Sequence, residues 1–299
     1  MHGKRVLVTG STGGIGKETA RGLARLGAQV VLVGRDRGRA EAAAAELRGD
    51  TGNDHIDALT ADITRQHDLH RLAEEVTNRY GVLHVLINNV GTNMARRELT
   101  VDGVETAFAA HVLAPFTLTH LLMPALHAAA SARVVNITGG IPTGPIDLDN
   151  LQGERTYMGW TFCQYNHSKV IMMAMSHLFA ERVAGTGVTI NVAYPGHAYT
   201  PGNQATPAKA FPLAYRPVVP LLRLLGPVLL KDLAKPARSS LLLASSEEVE
   251  GVTGTYFGSD GRPRSWPASV LDRRNREAIW ALCEKLAPAC HLPPEHREG

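Results

Sequence analysis

Arg5-Val-Leu-Val-Thr9-Gly10-Ser11-Thr12-Gly13-Gly14-Ile15-Gly16, running on into Lys17 to Leu26, is the stretch that decides the fold. A short β-branched run ends in a glycine-dense turn, and the turn opens into a segment with the apolar spacing of a helix, closed by Gly27. Strand, glycine turn and helix in that order make a phosphate cradle. Glycines let the backbone approach a pyrophosphate, and the exposed N–H groups and positive dipole end of the helix attract its charge. The spacing, Gly10-x3-Gly14-x-Gly16, differs from the GxGxxG of the commonest dinucleotide fingerprint. A glycine turn alone also serves plain packing, so the neighbouring segments have to agree with it.

They do, because the alternation repeats. Gln29 to Val33 reads as a second buried strand, Arg39 to Arg48 as an Ala-rich helix, His55 to Thr60 as strand, Arg65 to Tyr80 as helix and Leu83 to Asn88 as strand. Thr106 to Ala129 reads as a helix broken at Pro115, Arg133 to Thr138 and Val188 to Ala193 as strands, with a last strand near Thr253 to Phe257. Leu271 to Ala287 has the pattern of an amphipathic terminal helix. Strands separated by helices of this length imply right-handed βαβ crossovers, hence an α/β fold with a doubly wound, Rossmann-like parallel sheet covered on both faces. A single domain is expected over 1–290, with 291–299 as a frayed tail. The segment 201–235 leaves the rhythm: prolines such as Pro212, Pro217, Pro220 and Pro227 punctuate a leucine-rich run from Leu221 to Leu230. An apolar excursion at a strand's carboxyl end predicts a substrate flap, the alternative being a surface for peripheral membrane or subunit contact.

With 44% hydrophobic and 20% charged residues, the 299-residue chain has the composition of a soluble globular protein able to bury a full core. Its 31 basic residues are interleaved with 28 acids, which argues against a nucleic-acid surface. Cys163, Cys283 and Cys290 form neither an even set nor a CxxC pair, so no disulfide frame or metal cluster is expected. His67 and His70 have no third ligand at matching spacing and read as a solvated helix face. No apolar run is long enough for a transmembrane segment, and a cytoplasmic protein is expected.

Chemistry enters with Thr161 to Phe179, a helix whose polar beginning holds Tyr165 and Lys169 four residues apart and therefore on one face. An ammonium beside a phenol favours the phenolate and brings tyrosine toward the working range of a proton donor or acceptor. The same pair also occurs in helices without any chemistry. After the second strand, Gly34 carries no carboxylate for a ribose 2′-hydroxyl and Arg35 suits a 2′-phosphate, which favours NADP(H) over NAD(H).

Taken together, TGSTGGIG at 9–16, Asp62-Ile63 after the third strand, NNVG at 88–91, YNHSK at 165–169 and YPGHAYT at 194–200 resemble the short-chain dehydrogenase/reductase family. The similarity is closest to its retinol-dehydrogenase-like and protochlorophyllide-reductase-like branches, and GTYFGSDGRPRSWP at 254–267 looks like the terminal strand of the former. The resemblance implies that Gly10, Gly14 and Gly16 cradle the cofactor phosphates, lined by Ser11, Thr12 and Ile15. It implies that Arg35 meets the 2′-phosphate, that Asp62 and Ile63 flank the adenine, and that Asn89 and Gly91 support the ribose side. Lys169 would hold the nicotinamide ribose and lower the pKa of Tyr165, the acid/base, while Pro195, Gly196, Ala198 and Thr200 lie against the nicotinamide ring. A homodimer or homotetramer is also implied, the apolar helix after Lys169 packing on the sheet and on either a partner chain or the terminal helix.

Two positions depart from the family pattern. The usual serine at the end of the fifth strand is Gly139, in Asn136-Ile-Thr138-Gly139-Gly140, and the relay asparagine is His111. Thr138 and His111 are the candidates to replace them, His111 either passing a proton or merely bonded to backbone. Losing one donor to a developing oxyanion costs about 2.7 to 4 kcal/mol, so a replacement or a different reaction is required. The expected function is reduction of a bulky, lipophilic carbonyl or conjugated enone, in the setting of bacterial secondary-metabolite tailoring. The alternatives are a redox-neutral cyclase, dehydratase or isomerase, and a non-catalytic NADP-binding protein.

Overall fold

In the computed structural model, residues 1–94, 96–157, 163–196, 217, 220 and 232–287 are described. β-branched and leucine-rich runs form the strands: Arg5–Thr9 (β1), Gln29–Gly34 (β2), Ile56–Thr60 (β3), Val85–Asn88 (β4), Ala132–Ile137 (β5) and Val188–Ala193 (β6). Nearly every residue of β1, β2, β4, β5 and β6 is buried, as expected of central strands with helices on both faces. The sheet order is β3-β2-β1-β4-β5-β6-β7-β8, parallel throughout until the antiparallel pair Tyr256–Phe257 (β7) and Pro263–Arg264 (β8). Order reverses between β1 and β4, which opens a crevice at their carboxyl ends where α/β sheets bind ligands.

Alternate strand residues face two cores. On one face Val6, Val8, Leu32 and Ile87 pack with Gly14–Arg25 (α1) and Arg37–Thr51 (α2). On the other, Leu7, Val33, Leu86 and Val134 pack with Gln66–Tyr80 (α3), the Thr106–His127 region and Cys163–Arg182 (α7). The helix expected over Thr106 to Ala129 is segmented into Thr106–Phe108 (α4), a π turn at Ala109–Leu113, Ala114–Leu121 (α5) and Met123–His127 (α6). Pro115 has no N–H and its ring would press on the carbonyl of His111, so the chain widens by a π turn just before it instead of breaking. Pro124 makes the second break, which sequence reading missed.

The last strand expected near Thr253 to Phe257 is β7, whereas β8 and the helix Ala234–Ser245 (α8) were not expected. Helix α8 packs on α1, with Thr19 and Ser240 hydroxyls 2.7 Å apart, and the β7–β8 hairpin closes the sheet edge. The terminal segment splits into Ala268–Leu271 (α9) and Arg273–Leu286 (α10), separated by Asp272, whose carboxylate caps α10 by accepting from Arg274 N–H. That helix covers the outer face of α7. Trp280, 1% exposed, stacks edge-on against Phe116 and Phe179 at centroid separations of 4.9 and 5.1 Å, and the Arg182 guanidinium lies 4.1 Å from its ring. Of the two neighbours that sequence reading offered to the apolar face, a partner chain or the terminal helix, the terminal helix packs there in the single chain. Nearly all of the 201–235 flap and the 291–299 tail lie outside the described residues.

Candidate functional site

At the carboxyl end of β1 the glycine turn is built by its own steric demands. Gly10 (φ +63°) and Gly14 (φ +59°) take left-handed conformations, and a Cβ on Gly10 would sit 2.8 Å from Val90 Cγ2. A Cβ on Gly16 would run into the Asn89 amide, whereas Gly13 faces open space. Helix α1 starts at Gly14 with no side-chain cap and no acidic residue in its first turn. Twelve residues of aligned peptide dipoles thus end in N–H groups without an intrahelical or side-chain acceptor, a seat suited to a pyrophosphate.

Several residues expected around that seat also hold it together. Ser11 is fully buried; its hydroxyl donates to Val8 carbonyl (2.7 Å) and accepts from Val33 N–H (3.0 Å), so it ties the turn to β2. Asn89 donates from Nδ2 to the carbonyls of Thr9 (3.1 Å) and Gly10 (3.2 Å), bracing the turn from β4. Thr12 leans on Gly34, where any Cβ would collide with its methyl group. Arg35 stands exposed just past β2, and Asp36 spends its carboxylate capping α2, accepting from Arg39 N–H at 2.8 Å. Asp62 accepts from Thr64 N–H and Oγ1, while Ile63 lines a cleft with Thr9, Asn88, Val90 and Ala110. Ile15 lies in the first turn of α1. Pro195 and Gly196 follow β6, Gly196 at φ +79°; Ala198 and Thr200 lie outside the described residues.

Helix α7 is held against β5 by buried polar contacts. Asn136, paired with Asn88 across the sheet (2.8 Å), donates to Ser176 Oγ at 2.8 Å. Lys169, 2% exposed, donates to the carbonyls of Ile137 (2.8 Å) and Val90 (3.4 Å), with its ammonium 5.8 Å from the centre of the Tyr165 ring. The rest of the pentad also works: Asn166 accepts from Ile141 N–H (3.0 Å), His167 from Asp147 N–H (3.1 Å), and Ser168 lies 2.8 Å from His111 Nδ1. Sequence reasoning quoted these three residues inside YNHSK without giving them roles.

Tyr165 rests on bare backbone. A Cβ on Gly139 would lie 2.6 Å from the Tyr165 hydroxyl, and one on Gly91 would lie 3.4 Å from it. The slot where a side chain at 139 would project is therefore filled by the phenol. Burial pushes the phenol up to about 12 and pushes the Lys169 ammonium down to about 7. In the free chain the loss of solvent, with the neighbouring Tyr194 phenol, sets a direction opposite to the lowering expected from lysine, and the phenol keeps its proton at neutral pH. Thr138 extends the β5 ladder by donating its N–H to Ala193 carbonyl (2.9 Å), which places its side chain on the same face as Asn136. It is 2% exposed and its hydroxyl has no hydrogen-bond partner. A buried hydroxyl without a partner costs about 1–3 kcal/mol, so the site retains unspent hydrogen-bonding capacity.

Residues 4–210 match the family model described as short chain dehydrogenase. Retinol dehydrogenase 12 of Mus musculus is 36% identical over 289 residues, covering 96% of this chain and 87% of that protein. Retinol dehydrogenase 14 of Homo sapiens is 34% identical over 300 residues at the same coverage. Among solved structures, an uncharacterised protein from Mycobacterium paratuberculosis is similar at a TM-score of 0.76 and 27% identity, covering 98% of this chain and 96% of that one. The Pseudomonas aeruginosa RhlG/NADP active-site complex is similar at a TM-score of 0.66 and 25% identity, covering 87% and 96%.

Proposed function

The chain belongs to the short chain dehydrogenase family, in its retinol-dehydrogenase-like branch, and on that premise we propose that it is an NADPH-dependent reductase of a bulky, lipophilic carbonyl or conjugated enone. One observation carries the proposal: the half-buried Tyr165 and the buried Lys169 stand together where β5 ends, across the crevice from a glycine turn whose helix starts uncapped. Family membership supports oxidoreductase chemistry between carbonyl and alcohol levels; the size and lipophilicity of the substrate are argued from the leucine-rich 201–235 segment of the sequence alone.

Three features favour NADPH. No carboxylate fits at Gly34 beside Thr12, Asp36 is spent as a helix cap, and Arg35 is free to meet a 2′-phosphate. The RhlG complex, named with NADP, agrees. The N–H groups at Gly14, Ile15 and Gly16 would hold the pyrophosphate, Ile63 and Asp62 would flank the adenine, and Lys169 with the Gly91 loop would meet the nicotinamide ribose. Pro195, Gly196, Ala198 and Thr200 would bound the nicotinamide ring. When bound, NADPH supplies a hydride.

The chain's own residues supply the rest. Tyr165 holds a proton at its hydroxyl, which suits protonation of a substrate atom that gains negative charge. Thr138 brings a second hydroxyl from the same end of β5, in place of the side chain that Gly139 lacks. Lys169, poised near neutrality, changes charge readily as its surroundings fill. A redox-neutral reaction is the second reading, favoured by the single fact that Gly139 offers no donor and its slot is occupied by the phenol. A cytoplasmic setting, a homodimer or homotetramer, and a place in secondary-metabolite tailoring belong to the same proposal.

The test is NADPH consumption over a panel of lipophilic ketones, aldehydes and enones, followed by absorbance. Stoichiometric oxidation of NADPH, lost in Tyr165→Phe by about 100-fold or more, supports the reductase. Product formation without cofactor consumption would replace it with the redox-neutral reading.

A further inference from the structure

The π turn at Ala109–Leu113 delivers His111 to the start of α7, and two hydrogen bonds fix its ring. Nε2 faces the backbone N–H of Thr92 at 2.8 Å; a backbone N–H only donates, so Nε2 is the acceptor and carries no proton. In the neutral imidazole the proton then sits on Nδ1, which donates to Ser168 Oγ at 2.8 Å. Ser168 passes its own hydroxyl hydrogen to the carbonyl oxygen of Tyr165 at 2.9 Å. Each donor meets one acceptor, and no ring hydrogen is left for exchange with the crevice. His111 is 1% exposed and Ser168 is fully buried.

Two groups of α7 bear on the ring from the other side. The Tyr165 ring meets it edge-on at 5.0 Å, and burial, together with the Lys169 ammonium, holds the imidazole well below its ordinary range. A protonated His111 would set Nε2–H against Thr92 N–H, donor to donor. The loop it holds matters to the site, because Gly91 passes against the Tyr165 hydroxyl.

We infer that His111 and Ser168 are positioning residues that staple the Gly91–Thr92 loop to the helical turn carrying Tyr165, and that His111 neither takes up nor relays a proton during turnover. The inference rests on the reading of Tyr165 as the acid of this site. It also accounts for histidine where an amide side chain would span less: an imidazole presents an acceptor and a donor on opposite edges and so bridges two elements at once.

The test has two arms. In ¹⁵N NMR of histidine-labelled protein, the His111 resonances, assigned sequentially or by their loss in His111→Asn, should show the Nδ1–H tautomer and no titration between about pH 5.5 and 8. An Nε2–H tautomer, or an inflection in that window, would overturn the inference. In kinetics with NADPH, Ser168→Ala and His111→Asn should each lower kcat by roughly 10- to 100-fold through misplacement, with the pH profile keeping its wild-type shape. A profile that loses an inflection in His111→Asn would restore the proton-carrier role. The NMR arm needs no turnover, so failure of the reductase reading and failure of this inference are told apart.

Discussion

Lys169 offers a prediction whose size can be worked from its surroundings. Lys169 is 2% exposed, and among the described residues its ammonium is bonded to two main-chain carbonyls, at 2.8 and 3.4 Å, and to no carboxylate. Burial takes it from the ordinary 10.5 down to about 7. Between those values the unfolded chain binds the proton more readily than the native protein, so stability rises with pH across that window and the penalty is complete below it. At 1.36 kcal/mol per pH unit the full effect is about 5 kcal/mol, an upper figure comparable with the whole stability of a small domain. Over the practical range of pH 7 to 9 the rise is about 2 to 3 kcal/mol. Lys169→Met keeps the length of the side chain and removes the charge. Urea unfolding at several pH values should find the wild-type protein gaining stability from pH 7 to 9, and the variant more stable than wild type at pH 6 by a few kcal/mol, the gap closing as pH rises. Parallel pH dependence in the two proteins, or a variant less stable at pH 6, would refute the burial of an uncompensated charge.

Two further outcomes follow from the packing. Gly139→Ala places a methyl group 2.6 Å from the Tyr165 hydroxyl and should cost about 1–3 kcal/mol by overpacking; in the Tyr165→Phe background, where the oxygen is gone, most of that cost should vanish, which a denaturation double-mutant cycle measures. Trp280→Ala empties the aromatic cluster between α5, α7 and α10 and should cost about 3–5 kcal/mol in urea unfolding.

Much of the fold was legible in the residue order, because a parallel sheet buried on both faces writes itself as short apolar runs separated by helical periods. The strand, turn and helix from Arg5 to Arg25, the Tyr165–Lys169 face and the bareness of Gly139 could all be read there. What could not be read depends on contacts distant in sequence. Ala234–Ser245 lacks a helical stripe because its buried side rests on α1 through small residues such as Ser239 and Ser240. The widening at Ala109–Leu113 follows from Pro115, but whether a proline breaks a helix or widens it is decided by packing around it. The backbone partners of Ser11 and Asn89 could not be read for a similar reason: only the geometry shows which way their side chains turn. The direction of the Tyr165 shift was missed because a sequence displays the neighbouring charge but not the depth of burial.

The central claim is that the crevice between β1 and β4 is a seat for a phosphorylated nicotinamide dinucleotide, in reach of Tyr165 and Lys169. Titration calorimetry of the intact chain with NADPH and NADH tests it most directly. The account predicts heat on both with the phosphorylated coenzyme bound at least about tenfold more tightly, and a loss of that preference in Arg35→Gln, since one charge-assisted contact contributes about 1.5–3 kcal/mol. No heat with either coenzyme would contradict it.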